Sequence, residues 1–180
     1  MISLNRFRKL LIGSYRYEET VEDLRRRGVK IGNDVHIYSS EIDTGHGFLI
    51  EIGSHVTITN ATILSHDAST KKFFGYSKVG KVKIGDEVFI GYGSIILPGV
   101  HIGNRVIIGA GAVVRTDVPD DSVVMGNPAQ VVCSTEEYIR KNREKMEQAP
   151  VYTTYWKDKT KEEKIKMSEE LEKQRIGFDL

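Results

Sequence analysis

The chain has 180 residues, with 26 Lys and Arg against 25 Asp and Glu and a formal net charge of +1. A nucleic-acid binder shows a basic stripe, whereas the last 46 residues here interleave eleven basic with eleven acidic side chains. No apolar run approaches the roughly 20 residues that span a membrane, and the single cysteine, Cys133, excludes an internal disulfide.

Residues 1–28 do not repeat. Leu4, Phe7, Leu10 and Leu11 are broken up by Arg6, Arg8 and Lys9. This stretch is too short and too interrupted for a secretory signal. The expectation is a cytoplasmic protein whose N-terminus forms a short helix packed on the domain; an amphipathic membrane contact is the alternative. Glu18 to Arg27 lacks Gly and Pro, spaces Val21 and Leu24 by three, and is followed by Gly28. That pattern predicts a short helix with a C-terminal stop, placed to cap the open end of a repeat array that begins at Ile31.

From Ile84 to Pro119 the chain reads in sixes. The hexads open at Ile84, Ile90, Ile96, Ile102, Ile108 and Val114, four of them followed by Gly, with a small or β-branched residue fifth. No helical period gives this pattern; a hexapeptide period marks a β-helix solenoid. The same beat starts at Ile31 and Ile37, fails at Glu41 to Gly47, and returns at Ile52, Ile58 and Leu64. Asp43 then falls where an aliphatic opener belongs. Three hexads make one coil, with openers and fifth positions pointing inward and Gly or Asn easing the corners. Residues 68–81 interrupt the beat as a long loop, and such loops are often functional.

After Pro119 the period lapses. Val123 to Val132 reads as a last partial coil. Ser134 with Glu137, and Thr160 with Glu163, form capping-box patterns that open two helices, the first to about Gln148 and the second to Gly177, with an extended aromatic stretch from Val151 to Trp156 between them. The expected organisation is an N-terminal helical cap at 1–28, a β-helix at 29–132 and a helical extension at 133–180.

The Ile-Gly hexads, the closing Val123-Val124-Met125-Gly126-Asn127-Pro128-Ala129-Gln130-Val131-Val132, and Ser65-His66-Asp67 before a loop resemble the hexapeptide-repeat acyltransferases. Within them the resemblance is to sugar O-acetyltransferases of the galactoside, maltose and polysaccharide-modifying type. It covers roughly residues 29 to 132. It implies an all-β fold, a left-handed parallel β-helix, with acetyl-CoA as co-substrate, no metal, and a homotrimer whose active sites lie between subunits. The implied acceptor is a saccharide or sugar nucleotide, in surface polysaccharide or lipopolysaccharide assembly.

Acetyl transfer to a hydroxyl needs a base for the alcohol proton, a donor at the developing oxyanion, and two substrates held in line. Of the five histidines, His66 matches the family's catalytic base. His36, His55 and His101 fall at outward or corner positions, and His46 lies in the bulge, where it could line the site. Asp67 is expected to orient His66 or bind the acceptor, or else to cap the turn. Asp43 and Glu41, where the beat fails, are expected to bind acceptor hydroxyls. For acetyl-CoA the resemblance points to the backbone of Tyr92 at the thioester and of Ala110 at the pantetheine arm, with Arg115 and Thr116 nearer the nucleotide. Gln130 and Cys133 stand where the family often has basic residues; Lys71, Lys72, Lys78, Lys81 and Lys83 are the substitutes at hand for the phosphates.

Three other readings compete. An N-acetyltransferase on an amino sugar or a drug would use the same base and cofactor. A carbonic anhydrase on the same solenoid needs three histidines around zinc. A non-enzymatic binding module would need neither the loop beside His66 nor the break at Asp43.

Overall fold

The hexad beat becomes a coil with three sides. The computed structural model describes residues 20–180. Contact density divides the chain into two units, the first ending at Thr135 and the second running Glu136–Leu180. In the first unit one side of the coil stacks β1 (Lys30–Ile31), β4 (Ile50–Ile52), β9 (Val82–Ile84) and β12 (His101–Ile102). The second stacks β2 (His36–Tyr38), β5 (Thr57–Thr59), β10 (Phe89–Ile90), β13 (Ile107–Ile108) and β15 (Ser122–Met125). The third stacks β3 (Glu41–Ile42), β6 (Thr62–Ile63), β11 (Ile95–Ile96) and β14 (Val113–Val114).

All these pairings are parallel and keep the openers in register. Ile31, Ile52, Ile84 and Ile102 form one column, and Ile37, Ile58, Ile90, Ile108 and Val124 another. Ile42, Ile63, Ile96 and Val114 form the third. β-Branched side chains suit a pleated surface with one rotamer. Fifth-position Val56, Val88, Val100, Val106 and Ala112 close the same interior. Ile58, Ile63, Ile90, Ile96 and Ile108 are fully enclosed, and each contributes roughly 1.5–3 kcal/mol by leaving water.

The corners explain the remaining residues. Gly53 follows its opener because the next coil passes too close for a side chain: a Cβ there would meet Asp86 Oδ1 at 2.4 Å and the Gly85 carbonyl at 2.6 Å. The same corner is turned by a column of left-handed residues, Asp34, His55, Glu87, Arg105 and Asp121, with φ between 52° and 57°. A ladder of side chains holds that corner. Ser54 N–H donates to Asp86 Oδ1 (2.7 Å), Asp86 N–H to Asn104 Oδ1 (2.9 Å) and Asn104 N–H to Asp120 Oδ1 (2.7 Å). Each of these Asp and Asn acceptors immediately precedes a left-handed residue, and its short side chain ties the corner to the backbone of the coil beside it.

The structure corrects the expected register of the first two coils. Their second corners, at Ser39 and Asn60, take one residue fewer than the corners at Tyr92-Gly93 and Ala110-Gly111. The third side therefore opens at Ile42 and Ile63, both buried, and not at Asp43 and Leu64. Asp43 is the residue after an intact opener, and the real interruption is the adjoining segment Thr44–Leu49.

The two ends of the solenoid close in different ways. Residues 1–19 of the expected N-terminal cap, including the expected helix near Leu4 to Leu11, lie outside the described residues. Helix α1 (Val21–Arg26) has a capping box between Thr20 and Asp23, and its Leu24 is buried in the solenoid core. At the far end, β15 continues the second side of the coil with Val124 in its opener column; the chain then turns through Gly126 and a cis Asn127–Pro128 bond and returns antiparallel as β16 (Gln130–Ser134), so Val123 to Val132 is a last partial coil that folds back as a hairpin. The second unit contains most of α3 (Thr135–Met146), and α4 (Lys161–Gln174) with the Thr160–Glu163 capping box. Between and after them, β17 (Val151–Tyr152) pairs in parallel with β18 (Phe178–Asp179). Lys159 is buried there, bonded to the Thr154 carbonyl and to Asp179. Among the described residues no helix is long and apolar enough to cross a membrane.

Candidate active site

The two interruptions of the beat meet in space. The loop after the second coil has structure of its own. β7 (His66–Asp67) pairs antiparallel with β8 (Lys78–Val79), putting His66 opposite Val79 and Asp67 opposite Lys78. Between them lie a 3-10 turn, Ala68–Thr70, and the short helix α2 (Lys71–Phe74), which stops at left-handed Gly75. The loop's return is fastened by the Gly80 N–H donating to the Ser65 carbonyl (2.9 Å). The backbone of His66 is thus held in a paired strand, and its side chain is what the site presents.

The coil below supplies Asp43. Its Oδ2 accepts from His66 Nδ1 at 2.5 Å, from Ser65 Oγ at 2.7 Å and from Ser65 N–H at 3.1 Å. The Asp43 side chain is only 8% exposed, while that of His66 is 38% exposed. Burial pushes the Asp43 carboxyl up, but the bonds from His66 and Ser65 outweigh it and hold the carboxyl below its ordinary value. An ionised carboxylate fixes the hydrogen of the neutral His66 ring on Nδ1. Nε2 is left with its lone pair and makes no hydrogen bond among the described residues.

His46 completes the group. It sits in Thr44–Leu49, which is pinned to α1's end: Arg27 Nη1 donates to Thr44 Oγ1 (2.9 Å), and a Cβ on Gly47 would come within 2.4 Å of the Arg27 carbonyl. The His46 ring centroid is 5.2 Å from that of His66, tilted by 43°. Its Nδ1 is buried and has no hydrogen-bond partner among the described residues. A histidine in a segment without register carries no sequence pattern, so only its position in the bulge pointed here.

The other expected residues are more scattered. Asp67 does not touch His66 through its side chain. Its Oδ1 accepts from Ser69 N–H (2.8 Å) and its Oδ2 pairs with Lys78 (2.6 Å), which together with the Ser69 bonds holds its carboxyl at about 2. Glu41 points outward on the third side beside buried Ile42. Tyr92 and Ala110 lie on adjacent coils at the corner that opens the third side, and neither amide is spent on the coil-to-coil ladder. His66 lies beyond the strand that ends that side, so the single chain does not bring these groups to it. Arg115 and Thr116 are exposed, at the end of the third side that carries Asp43 and Leu64 on earlier coils.

Three potential ligand atoms, one each from Asp43, His46 and His66, lie within 4.8 Å of one another. The carbonic anhydrase reading needs three histidines, and the third is not here. His55 bonds Asp34 at a corner and His101 stands on the first side. The carboxylate oxygen nearest His66 is already committed to three donors. The donor set fits a hydrogen-bonded dyad with a second imidazole beside it.

Known proteins agree with this architecture. Residues 81–116 match the bacterial transferase hexapeptide (six repeats) family. The chain is 42% identical over 141 residues to protein CapG of Staphylococcus aureus, covering 74% of this chain and 82% of that one. It is 42% identical over 82 residues to a galactoside O-acetyltransferase of Lactococcus lactis, a match spanning 46% of this chain and 39% of the relative. A crystal structure of a hexapeptide-repeat acetyltransferase from Vibrio cholerae superposes with a TM-score of 0.52 at 22% identity, covering 67% of this chain and 83% of that one, and bears out the fold.

Proposed function

The chain belongs to the bacterial hexapeptide-repeat acyltransferase family, and from that premise we propose that it transfers an acetyl group from acetyl-CoA to a hydroxyl of a saccharide, with His66 as general base. The observation that carries this reading is the Asp43–His66 bond, which leaves Nε2 as a bare, partly exposed acceptor. The acceptor hydroxyl gives its proton to Nε2 as its oxygen attacks the thioester carbonyl. The tetrahedral oxyanion then collapses, the C–S bond breaks, and the imidazolium returns the proton to the CoA thiolate. Asp43 stabilises the imidazolium in between, so it acts as a positioning residue more than as an acceptor ligand. A base of this kind contributes about 10²–10⁴-fold.

The finer assignments extend the same reading. The coil is left-handed and three copies associate, so that the Tyr92 and Ala110 amides of one copy face the His66 of another. Tyr92 N–H serves the oxyanion, where one preorganised donor is worth about 10²–10³-fold. Ala110 meets the pantetheine arm, Arg115 and Thr116 lie toward the nucleotide, and Glu41 stands at the acceptor's approach. The galactoside O-acetyltransferase relative supports a sugar hydroxyl as acceptor, in cytoplasmic steps of polysaccharide assembly. The test is CoA release from acetyl-CoA across a panel of neutral saccharides and amino sugars, with the product weighed for one added acetyl group. O-acetylated neutral sugar is the expected result. Turnover confined to amines favours N-acetylation, and release with no acceptor at all refutes the reading.

A further inference from the structure

His46 has no part in the dyad, yet its surroundings determine where its hydrogen lies. Its Nδ1 is enclosed and meets no acceptor among the described residues. A hydrogen on that atom would be a buried donor without a partner, the arrangement that folded proteins avoid. A bare Nδ1 costs less, because a buried acceptor without a partner is better tolerated than a buried N–H without one; the rings nearby are those of Phe48 and His66, with centroids 6.2 Å and 5.2 Å from that of His46. The neutral His46 ring therefore carries its hydrogen on Nε2. That atom forms no hydrogen bond among the described residues and is not enclosed. The two adjacent imidazoles then have opposite tautomers. His66 offers a bare Nε2 because Asp43 holds its Nδ1–H, and His46 offers an Nε2–H.

From this pairing we infer that His46 is a specificity residue for acceptors bearing two hydroxyls on adjacent carbons. His66 accepts the proton of the hydroxyl that is acetylated. His46 donates to the oxygen of its neighbour. Donation to the reacting oxygen itself would draw electron density from the nucleophile and lower its reactivity, so the neighbouring hydroxyl is the better fit. The segment is built to hold the ring still: Thr44 is bonded to Arg27, and Gly47 lies against the Arg27 carbonyl. The inference rests on the proposed function for the reacting hydroxyl, while the tautomers stand independently of it.

The test has two arms on the full chain. In the first, long-range ¹H–¹⁵N spectra of histidine-labelled protein at neutral pH report the hydrogen on each ring, assigned with His46→Gln and His66→Gln. The expected result is Nδ1–H for His66 and Nε2–H for His46; equal tautomers, or Nδ1–H on His46, overturn the pairing. In the second, CoA release is measured with methyl β-D-galactopyranoside and its singly deoxygenated forms. Removing the hydroxyl next to the acetylated one should raise the wild-type acceptor KM about tenfold, as loss of one hydrogen bond does. His46→Ala should erase that difference without changing the KM for acetyl-CoA, and His46→Gln, which keeps an N–H donor, should restore part of it. Unchanged discrimination in a folded His46→Ala protein overturns the assignment. Absence of turnover with every pyranoside counts against the proposed function instead, and the spectrum alone then decides the pairing.

Discussion

Asp43→Asn removes the charge from the most connected side chain at the site. Its Oδ2 accepts three bonds, from His66 Nδ1, Ser65 Oγ and Ser65 N–H. A hydrogen bond to a charged partner is worth roughly 1.5–3 kcal/mol and a neutral one roughly 0.5–1.5. With the amide oxygen in the place of Oδ2 all three bonds survive but each weakens by about 1 kcal/mol, so the variant should lose about 2–4 kcal/mol of stability. The imidazolium formed during transfer also loses its counter-charge, and kcat should fall at least about tenfold with the KM for acetyl-CoA unchanged. If the amide flips, its NH₂ faces Nδ1, the hydrogen moves to Nε2 and the base disappears, which lowers the rate further. The pH dependence has a definite sign. The Asp43 carboxyl lies below its ordinary value in the folded chain. Its contribution is full above the unfolded aspartate value of about 3.9 and is lost as pH falls through the lower folded value. Urea denaturation should therefore show a gap between wild type and variant at pH 7 that closes on acidification below about pH 4. A variant as stable as wild type at pH 7 with unchanged kcat refutes the dyad.

Three further outcomes are expected from the geometry. Asp67→Asn should leave CoA release within about twofold of wild type, because the exposed pair with Lys78 is screened by solvent and Asn can still cap Ser69; a large loss of rate would move the orienting role back to Asp67. Gly53→Ala should destabilise the solenoid by about 1–3 kcal/mol in chemical denaturation, since its Cβ would meet the Gly85 carbonyl at 2.6 Å. Asp179→Ala strands the Lys159 ammonium, whose side chain is 5% exposed, and should cost about 3–5 kcal/mol. Hydrogen exchange across Lys161–Gln174 reports that loss.

Much of the coil was legible because inward Ile and Val recur in a fixed frame from Ile84 onward. The frame fails to transfer to the first two coils for a physical reason. A corner shortened at Ser39 or Asn60 leaves Ile42-Asp43 and Ile63-Leu64 ambiguous, and only the buried partner across the coil shows which residue opens the side. The two breaks in the beat that meet in space, and His66 at the edge of one of them, were legible as positions. The bonds of Asp43 were not, because its partners lie a full coil away, at Ser65 and His66. The pattern beside His66 favoured Asp67 for orientation, but β-strand alternation sends adjacent side chains to opposite faces, and Asp67 turns to Lys78 and Ser69. His46 needed the fold of Thr44–Leu49, and the β17–β18 pair joins strands of two residues each, too short for alternation to register.

Whether His66 takes the acceptor's proton is tested most directly by the kcat for CoA release of His66→Ala. The acceptor is the saccharide that the wild type acetylates fastest, and the variant is first shown to keep its far-UV spectrum and its affinity for acetyl-CoA. The expected loss is at least about a hundredfold. Turnover at the wild-type rate would remove His66 as the base.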